Sequence, residues 1–453
     1  MARCLSAVAR KIDGRLAGAD SAFGFVGIDS RTLPAGGLFV AIKGERFDGH
    51  DYVAAAAERG AVGALVSRVQ DLPLPQIEVN DTRLAFGAMA NAWRENFEIP
   101  VVAVTGSAGK TTVKELIASI LKEGRSVCVT EGNLNNDLGV PLSLMRLEET
   151  DQAMVVELGA NHAGEIAALG HLVEPTIAVI TNAGAAHLEG FGSIAGVAKA
   201  KGELLDCLPD DGVAVLNADD TFYSEWRKRA GRRKTSSFGF SEQADYRLSG
   251  EIETDSAGSH FAVSTPDGLR IDLKLALLGR ANLSNALAAI AAASAAGASV
   301  DEIRRGLECT SPVKGRMNRL SGKAGATLID DSYNANPSAA KAALDFLGDC
   351  EGKRIFVLGD MLELGEEERT LHREIGDYAV DHCDELVVIG HLAAEAADAF
   401  GANATKYLEI DAAAADLIQR LGPNVTVLIK ASRSMGLERL VKALAKAEGV
   451  DAC

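Results

Sequence analysis

The chain has 453 residues, 47% of them hydrophobic, and 63 acidic against 46 basic side chains give a formal net charge of -17. This length exceeds what a single hydrophobic core usually supports and predicts about three domains. The acidic balance disfavours a nucleic-acid-binding scaffold, which needs basic surface against phosphate, so anionic ligands must be met by local positive groups.

The cysteines and the hydropathy indicate a protein of a reducing, aqueous compartment. The seven cysteines include no close pair of the metal-binding kind, so we expect reduced and mostly buried thiols. They are Cys4, Cys128, Cys207, Cys309, Cys350, Cys383 and Cys453. No run approaches the ~20 apolar residues that span a bilayer, and the charges of residues 1–16 do not precede an apolar stretch. The sequence therefore predicts a cytoplasmic protein.

The chain divides into three blocks, and the first two differ in their pattern of predicted strands and helices. Residues 1–83 mix short strands and turns, as at 36–44, with a helical segment at 51–59, and predict a small α/β domain. Residues 84–312 begin beside a helix that starts near Thr82, and then alternate short apolar strands with helices. That alternation predicts a parallel sheet covered on both faces. The strand candidates are 100–104, 126–130, 153–158, 177–181 and 213–216.

The second block ends in predicted hairpins and a helix, and the third block again alternates strands and helices. Alternating polar and apolar positions at 245–275 predict antiparallel hairpins at the sheet edge, and the alanine-rich run 286–296 predicts a packed helix. Ser311-Pro312 marks a boundary. Residues 313–453 resemble a doubly wound, Rossmann-like domain, but no strand leads into a Gly-x-Gly-x-x-Gly turn, so dinucleotide binding is not expected. Its strands are predicted at 326–329, 354–358, 385–389 and 425–429.

A phosphate-binding loop follows the first buried strand of the second block. Residues 105–112 read Thr-Gly-Ser-Ala-Gly-Lys-Thr-Thr and lead into a helical segment at 113–121. Backbone amides and the helix N-terminus face the phosphate; Lys110, expected to face solvent, adds a full charge, and Thr111 offers a hydroxyl to Mg²⁺. The spacing is shorter than usual because Val104 replaces the first glycine. The candidate loop residues are Gly106, Ser107, Ala108, Gly109, Lys110, Thr111 and Thr112.

Two further candidates stand where parallel strands are predicted to end. Glu157 closes the apolar run 153–157, and His187 follows the strand at 177–181. Ligands bind at the carboxyl edge of such sheets, and magnesium prefers oxygen ligands, so Glu157 is a candidate magnesium ligand. On position alone, a solvated glutamate and an ordinary packing histidine stay open as alternatives.

Several ordered motifs carry a family resemblance. In the second block these are the phosphate loop, Asn-Leu-Asn-Asn-Asp-Leu-Gly-Val-Pro at 133–141, Glu-Leu-Gly-Ala-Asn-His at 157–162, Thr-Asn-Ala-Gly-Ala-Ala-His-Leu-Glu at 181–189 and Ala-Lys-Ala-Lys-Gly-Glu at 198–203. They are similar to the central domain of the Mur ligases, which make the peptide stem of bacterial cell-wall precursors. The motifs at 330–337, 358–365 and 430–435, with Asp-Ser-Arg at 29–31 and Phe-Asp-Gly-His-Asp at 47–51, resemble the family member that adds D-alanyl-D-alanine.

The resemblance implies an α/β fold of three domains and an ATP-dependent ligase of peptidoglycan precursor synthesis. Residues 1–83 would bind the UDP-sugar, 84–312 would form a P-loop ATPase domain with a parallel sheet, and 313–453 would close on ATP and bind the dipeptide. ATP would phosphorylate the terminal carboxylate of UDP-N-acetylmuramoyl-tripeptide, and the amine of D-alanyl-D-alanine would attack the acyl phosphate. The developing charge needs magnesium, Lys110 and nearby donors. A monomer is expected.

The resemblance also assigns catalytic and metal-binding roles. These fall on Lys110, Thr111, Glu157, His187 and Lys201. Thr111 and Glu157 would hold a first magnesium ion and His187 a second metal. Lys201 matches the family lysine that is carbamylated by carbon dioxide, which converts a cation into an anionic oxygen donor. Lys199 is the alternative for that role, and on position alone either lysine could be a solvated helix charge.

Further residues are matched to the substrates. The resemblance places Asn282 at the adenine, with Arg316, Asp331 and Asn334 reaching ATP across the cleft. It suggests that the nucleotide sugar contacts Ser30, Arg31, Asn133, Asn135 and Asn136. Ordinary structural roles are the alternatives: Asn282 could cap a helix, Asp331 and Asn334 could form the turn before a helix starting at Pro337, and the asparagines could shape a loop.

Other activities would use a similar phosphate loop. The nearest are the ligase that adds the third stem residue, which would carry an Asp-Asn-Pro-Arg-type motif that the third block lacks, and the folate polyglutamate synthetases. From other classes, a P-loop kinase or a nucleotide-gated binding protein fits the loop alone. Phosphate release that requires both the tripeptide precursor and D-alanyl-D-alanine distinguishes the ligase.

Overall fold

The structure is a computed structural model that describes residues 3–255 and 258–446. Within these ranges the strands fall into three sheets that follow one another along the chain, as the three blocks predict. Among the described cysteines, Cys128 and Cys383 are buried, Cys309 is exposed and the rest are half-buried. The expectation of mostly buried thiols is therefore only partly met. Cys453 lies outside the described residues.

The first sheet is small and mostly parallel. Its strands are β1 (Arg15–Ala17), β2 (Phe25–Gly27), β3 (Gly37–Val40), β4 (Gly63–Val66) and β5 (Gln76–Glu78). Their order is β1-β5-β4-β3-β2. Among the strand pairs within residues 15–78, β1–β5 is antiparallel and the others are parallel. The central strands β3 and β4 are buried throughout because the sheet is covered. Its helices are α1 (Leu5–Lys11) and α2 (Val53–Glu58), the latter after a 3-10 turn at Gly49–Tyr52.

A helix joins the first sheet to the second. This helix, α3 (Thr82–Arg94), begins at Asp81, whose carboxylate accepts hydrogen bonds from the amides of Arg83 and Leu84. One hydrophobic core runs from Leu38 and Ile77 of the first sheet, through Phe86 of α3, to Val101 of the second sheet. The first two blocks therefore share a core, and the boundary at 83/84 stays a prediction.

The described residues between 101 and 275 form a ten-stranded sheet. Its strands are β6 (Val101–Thr105), β7 (Val127–Val129), β8 (Ala153–Glu157), β9 (Ile177–Ile180), β10 (Val213–Asn217), β11 (Lys234–Gly239), β12 (Tyr246–Leu248), β13 (Glu253–Asp255), β14 (Gly258–Ser264) and β15 (Arg270–Leu275). The order is β13-β14-β12-β11-β10-β9-β6-β8-β7, with β15 on β14. Pairing is parallel from β7 to β12 and antiparallel among β12 to β15, which confirms the predicted strands and edge hairpins.

Helices cover both faces of the second sheet. They are α4 (Lys110–Lys122), α5 (Gly139–Leu144), α6 (Glu165–Val173), α7 (Leu188–Phe191), α8 (Ile194–Gly202), α9 (Tyr223–Ala230), α10 (Arg280–Ala295) and α11 (Val300–Glu308). The alanine-rich run lies in α10 and is buried in the same core as α4, because small side chains allow close helix packing. None of the helices in the described ranges is long and apolar enough to cross a membrane.

The third sheet, within residues 318–430, has six strands. They are β16 (Asn318–Ser321), β17 (Thr327–Asp331), β18 (Lys353–Gly359), β19 (Glu385–Ile389), β20 (Ala404–Tyr407) and β21 (Val425–Lys430), in the order β16-β17-β21-β18-β19-β20. Only the β16–β17 pair within this range is antiparallel. The helices are α12 (Pro337–Gly348), α13 (Glu368–Ala379), α14 (Ala393–Phe400), α15 (Ile410–Arg420) and α16 (Glu438–Leu444). The predicted helix start at Pro337 is confirmed, with Asn336 as its cap.

Candidate active site

The phosphate loop between β6 and α4 needs its two glycines. Gly106 has φ 147° and Gly109 has φ 81°, in the region that favours glycine. A Cβ atom at Gly106 would lie 1.9 Å from the hydroxyl of Thr181, and one at Gly109 would lie 2.3 Å from the amide oxygen of Asn285. The loop therefore sits too close to its neighbours to carry side chains at these positions.

The segment after β9 holds the loop in place. The Thr181 hydroxyl donates to the Ala108 carbonyl at 2.6 Å, and the Ala108 amide donates to Asn182 Oδ1 at 2.9 Å. The Ser107 amide donates to the Asn182 carbonyl at 3.0 Å. Because these bonds fix the backbone before any ligand is present, the loop is preorganised for a phosphate.

Lys110 folds back into its own loop. Its Nζ donates to the Gly106 carbonyl at 2.7 Å, and the side chain is half-buried. The expectation that it faces solvent is wrong. Burial lowers the pKa of Lys110, Arg316 lowers it further, and Glu157 opposes the shift. Its positive charge is thus poorly solvated, which favours an incoming anion.

Glu157 is a buried carboxylate rather than a solvated strand end. It is 2% exposed. Its Oε2 accepts from the Thr111 hydroxyl at 2.9 Å and its Oε1 accepts from Asn135 Nδ2 at 2.7 Å. Two oxygen donors, one charged, therefore lie together beside the phosphate loop, and they are of the kind that magnesium prefers. The residues present fit a magnesium ion that also binds phosphate.

A second lysine of α4 helps to hold the backbone at the end of the strand that carries Glu157. Lys114 is fully buried, and its Nζ donates to the Thr130 carbonyl at 2.8 Å. The Thr130 hydroxyl in turn accepts from the Glu157 amide at 3.2 Å. Lys114 thereby fixes the end of β8. Sequence reasoning missed it, although its place one helical turn after Lys110 is a usable signal.

The two candidate lysines of α8 differ in burial. Lys201 is 2% exposed, its Nζ lies 5.2 Å from the centroid of the Phe191 ring, and Lys199 is exposed. Burial, followed by the nearby charge of Lys110, lowers the pKa of Lys201 to about 7. The buried Lys201 amine therefore loses its proton more readily than an ordinary lysine.

His187 connects the second and third blocks. It follows β9 in a left-handed conformation with φ 53°, and its Nδ1 pairs with Glu363 Oε2 at 2.5 Å. Burial lowers the pKa of His187; Glu363 opposes this, whereas Lys110 and Lys201 lower the pKa further. A residue of the third block thus reaches the histidine that was matched to a second metal.

Arg316 reaches the phosphate loop from the opposite side of the cleft. Its Nη2 donates to the Thr111 hydroxyl at 3.4 Å, and its guanidinium lies 4.1 Å from the centroid of the Tyr333 ring. Its Nε is buried without a hydrogen-bond partner within the described residues. This permanently charged fork is therefore available to a phosphate.

Asp331 and Asn334 are tied to a buried lysine. Lys430 Nζ pairs with Asp331 Oδ2 at 2.5 Å and donates to the Asn334 carbonyl at 3.0 Å. Asp331 Oδ1 also accepts from the Met317 amide at 3.2 Å. These contacts with distant residues differ from the turn-forming role considered for the two side chains, although residues 332–333 between them form a turn. Both side chains also line a cavity beside the loop.

The cavity has a volume of about 250 Å³, and its lining includes Thr112 of the loop and Asn282. It is the smaller of two cavities beside the phosphate loop. Asn282 lies inside α10, which begins after Gly279, and its Nδ2 donates to the Leu278 carbonyl at 2.8 Å. The helix-capping alternative for Asn282 is wrong. Phe346 of α12 forms an apolar wall that sequence reasoning missed. The cavity suits a flat, polar-edged ring.

The candidates for the nucleotide sugar separate into two places. Asn133, Asn135 and Asn136 line the main cleft, where Asn136 Oδ1 also accepts from the Gly139 amide at 2.8 Å. Ser30 is buried in the turn after β2 and Arg31 is exposed, and neither is among the residues that line that cleft. Two hydrogen bonds and the charge of Arg31 lower the pKa of Asp29 to about 2.

The main cleft, of about 570 Å³, lies between the carboxyl edges of the second and third sheets. The second sheet contributes a cation, a buried carboxylate and a histidine, at Lys110, Glu157 and His187. The third block contributes Asn334, Leu362, Glu363, Ser432, Arg433 and Ser434, with Tyr333. The cleft thus combines a cation beside the phosphate loop with polar and charged side chains from both sheets.

Three family descriptions match consecutive parts of the chain. They are "Mur ligase family, catalytic domain" over residues 22–102, "Mur ligase middle domain" over 104–293, and "Mur ligase, glutamate ligase domain" over 315–433. The UDP-N-acetylmuramoyl-tripeptide--D-alanyl-D-alanine ligase of Escherichia coli strain K12 is 42% identical over 447 residues, which cover 97% of this chain and 98% of that protein.

Solved structures agree with the sequence relatives. MurF from Acinetobacter baumannii superimposes with a TM-score of 0.90 at 36% identity, covering 96% of this chain and 97% of that one. MurF ligase from Thermotoga maritima in complex with ADP gives a TM-score of 0.83 at 31% identity, covering 92% of this chain and 96% of that one. The similarity therefore extends over nearly the whole fold.

Proposed function

The chain belongs to the Mur ligase family, and from this premise we propose that it joins D-alanyl-D-alanine to UDP-N-acetylmuramoyl-tripeptide, with ATP converted to ADP and phosphate. One observation carries the proposal: a preformed phosphate loop with Lys110 and a buried Glu157 opens into a cleft that the third sheet closes. The relatives' shared activity fits this geometry.

ATP would bind across both cavities. The adenine would occupy the smaller one, between Asn282 and the Phe346 ring, and the triphosphate would lie over the loop toward Lys110. Arg316 would contact the phosphates from the third block, and Asp331 and Asn334 would border the nucleotide. The ligand would therefore hold the two sheets together.

Magnesium is the expected cofactor. Thr111 and Glu157 would hold it beside the phosphates, with His187 serving a second ion. When bound, the metal neutralises charge on the transferring phosphoryl group. Lys201 would be carbamylated: only a neutral amine adds carbon dioxide, and burial keeps this amine easily deprotonated. The product would be an anionic oxygen donor near the positive charge of Lys110.

The reaction needs positioning more than a protein nucleophile. The tripeptide carboxylate attacks the γ-phosphorus of ATP, which forms the acyl phosphate and releases ADP. The dipeptide amine then attacks the acyl carbon, and phosphate leaves. The chain's part is to align these three substrates and to keep water from the acyl phosphate. Residues 1–83, through Ser30 and Arg31, with Asn133, Asn135 and Asn136, would hold the nucleotide sugar.

An acceptor-dependent assay tests the proposal. Phosphate release should require ATP, the tripeptide precursor and D-alanyl-D-alanine together, and the ligated product should be found by mass spectrometry. Release that ignores the dipeptide would fit a kinase or a slow ATPase and would overturn the proposal. A precursor ending after the second stem residue, offered with a free amino acid, tests the ligase that adds the third residue. Cytoplasmic location and a monomeric state belong to the same proposal.

A further inference from the structure

Across the main cleft, a carboxylate of the third block meets the histidine that follows β9. Glu363 Oε2 lies 2.5 Å from His187 Nδ1, and both side chains line the cleft beside the phosphate loop. The two side chains are partly exposed, and an ion pair of this kind adds little to the stability of a fold because water competes for both groups. The contact therefore needs a reason other than stability.

Both members of the pair have a strained backbone. His187 has φ 53° and Glu363 has φ 64°, in the left-handed region that residues other than glycine seldom adopt. Six such residues have a positive φ within the described ranges, and two of the six are paired with each other here. Strain of this kind persists where the surroundings fix it, and it is concentrated at functional sites. The pairing therefore indicates a functional contact.

The surrounding structure fixes Glu363 at this place. The backbone amide two residues before it donates to Nε2 of the buried His372 at 2.9 Å, and the amide directly before it donates to Ser432 Oγ at 2.8 Å. On the other side, Gly365 lies so close to the start of α7 that an added Cβ atom would be 3.7 Å from the backbone nitrogen of Glu189. The third block thus holds the carboxylate while the segment that carries it packs on the second block.

The pair decides which ring nitrogen of His187 carries a proton. An ionised carboxylate can only accept a hydrogen bond, so Nδ1 donates to Glu363 and Nε2 is the nitrogen that is left for a metal. Histidines that bind metals usually donate their other ring N–H to a carboxylate or a carbonyl, which fixes the tautomer and makes the ligand more basic. Glu363 has the chemistry of such an orienting carboxylate, but it comes from a different block of the chain.

We propose that Glu363 is a positioning residue for the second metal ion, an assignment that rests on the proposed function, in which His187 serves that ion. The Glu363 carboxylate orients the His187 ring, and because it belongs to the third block, the metal site is complete only when the two blocks are in contact. The second ion and the closed arrangement of the blocks therefore stabilise each other. Thr111 and Glu157 both lie in the second block and would hold the first ion without this help.

Manganese binding tests the assignment without any ligation. Mn²⁺ is added to the protein and a non-hydrolysable analogue of ATP in bicarbonate buffer, and free Mn²⁺ is read from its electron paramagnetic resonance signal. Wild-type protein should bind a first and a second ion. Glu363→Ala should weaken the second about 10- to 100-fold, the usual loss for an orienting carboxylate, and leave the first unchanged. Glu363→Gln should lose less, because its amide oxygen still accepts from Nδ1.

Matched variants separate this role from folding. Glu366→Ala removes an exposed carboxylate of the same segment and should bind Mn²⁺ as wild type does. His187→Ala should lose the second ion, and adding Glu363→Ala to it should weaken binding no further, since Glu363 acts through His187. Thermal melting shows that each variant is folded; if Glu363→Ala is not, Glu363→Gln must show the loss in its place. A further loss in the double variant overturns the positioning role.

The failure of this assignment differs from the failure of the proposed function. A second ion that binds wild type and Glu363→Ala equally well removes the role of Glu363 and leaves the ligase function standing. Wild-type protein that binds only one ion overturns the second metal and the role of Glu363 with it. Wild-type protein that binds both ions but ligates no dipeptide overturns the ligase function instead.

Discussion

The second and third sheets present the same kind of carboxyl edge to the cleft, but they treat positive charge differently. At the second sheet, Lys110 donates to a carbonyl in its own loop and Lys201 packs on an aromatic ring. At the third sheet, Lys430 is neutralised by a buried ion pair with Asp331. The edge of the second sheet thus leaves the Lys110 charge available to an anionic substrate, whereas the third sheet uses its buried lysine to hold its own turns.

The largest effect should come from the cation that faces the phosphates. Lys110→Met should lower ligation at least about 100-fold, since a preorganised charge is removed from the site of phosphoryl transfer. It should not lower the melting temperature, because the lysine is poorly solvated in the fold. Initial rates and calorimetry measure both. Near-normal turnover would show that Lys110 does not act at the site. It would also contradict the contrast drawn between the lysines of the second and third sheets.

The lysine pair of α8 sharpens the same point. Lys201→Ala should lose most activity, and added bicarbonate should not restore it, since the variant has no amine to carbamylate. Lys199→Ala is the matched control on the exposed face of the helix and should ligate normally. A damaging Lys199→Ala with a mild Lys201→Ala would reverse the assignment.

Breaking the ion pair of the third sheet should lower the free energy of unfolding. Lys430→Met leaves Asp331 buried without its ion partner, which costs about 3–5 kcal/mol of unfolding free energy. Denaturant titration measures this loss. The double variant with Asp331→Asn should recover part of it, because the unpaired charge is then absent. Equal stability of Lys430→Met and wild type would show that the pair does not hold the third sheet.

The smallest effect concerns pH. Burial lowers the pKa of His372 from its usual 6.5, with hydrogen bonding to Glu368 opposing the shift. In the unfolded chain the His372 imidazole therefore takes up a proton near pH 6.5, whereas in the folded chain it stays neutral to a lower pH. The free energy of unfolding falls as the pH drops below 6.5.

His372→Gln provides the measurement. Glutamine can still accept from the Met361 amide but does not titrate, so its melting temperature should fall less steeply than that of wild type from pH 6.5 to 5. The exposed His391→Gln should follow wild type. Parallel slopes for His372→Gln and wild type would contradict the burial argument.

The strands that the sequence predicts are marked by runs of apolar side chains. The predicted strands at 153–158 and 385–389 lie in the interior of their sheets. β11 was missed because it buries Ser236 and Ser237, and Ser237 Oγ pairs with Asp245 at 2.8 Å, a contact invisible to a hydrophobic pattern. β16 and β20 were missed because edge strands stay half-exposed and polar.

The site divides in a similar way. The phosphate loop was predictable because its function depends on local glycines and one lysine. Lys114, Phe346 and Glu363 contribute through contacts with residues far away along the chain, and periodicity carries no such information. The direction of the Lys110 side chain was mispredicted although its hydrogen-bond partner, the Gly106 carbonyl, lies in the same loop, because a sequence pattern does not show which way a side chain turns.

The hydrophobic core that runs from Leu38 through Phe86 to Val101 has a consequence for unfolding. Sheets that share a core lose their packing together, whereas the third sheet has cores on both of its faces, around Phe356 and Val427. The molecule therefore has fewer cooperative units than sheets. Under denaturant, the third sheet can melt alone and leave the first two sheets as one folded remnant.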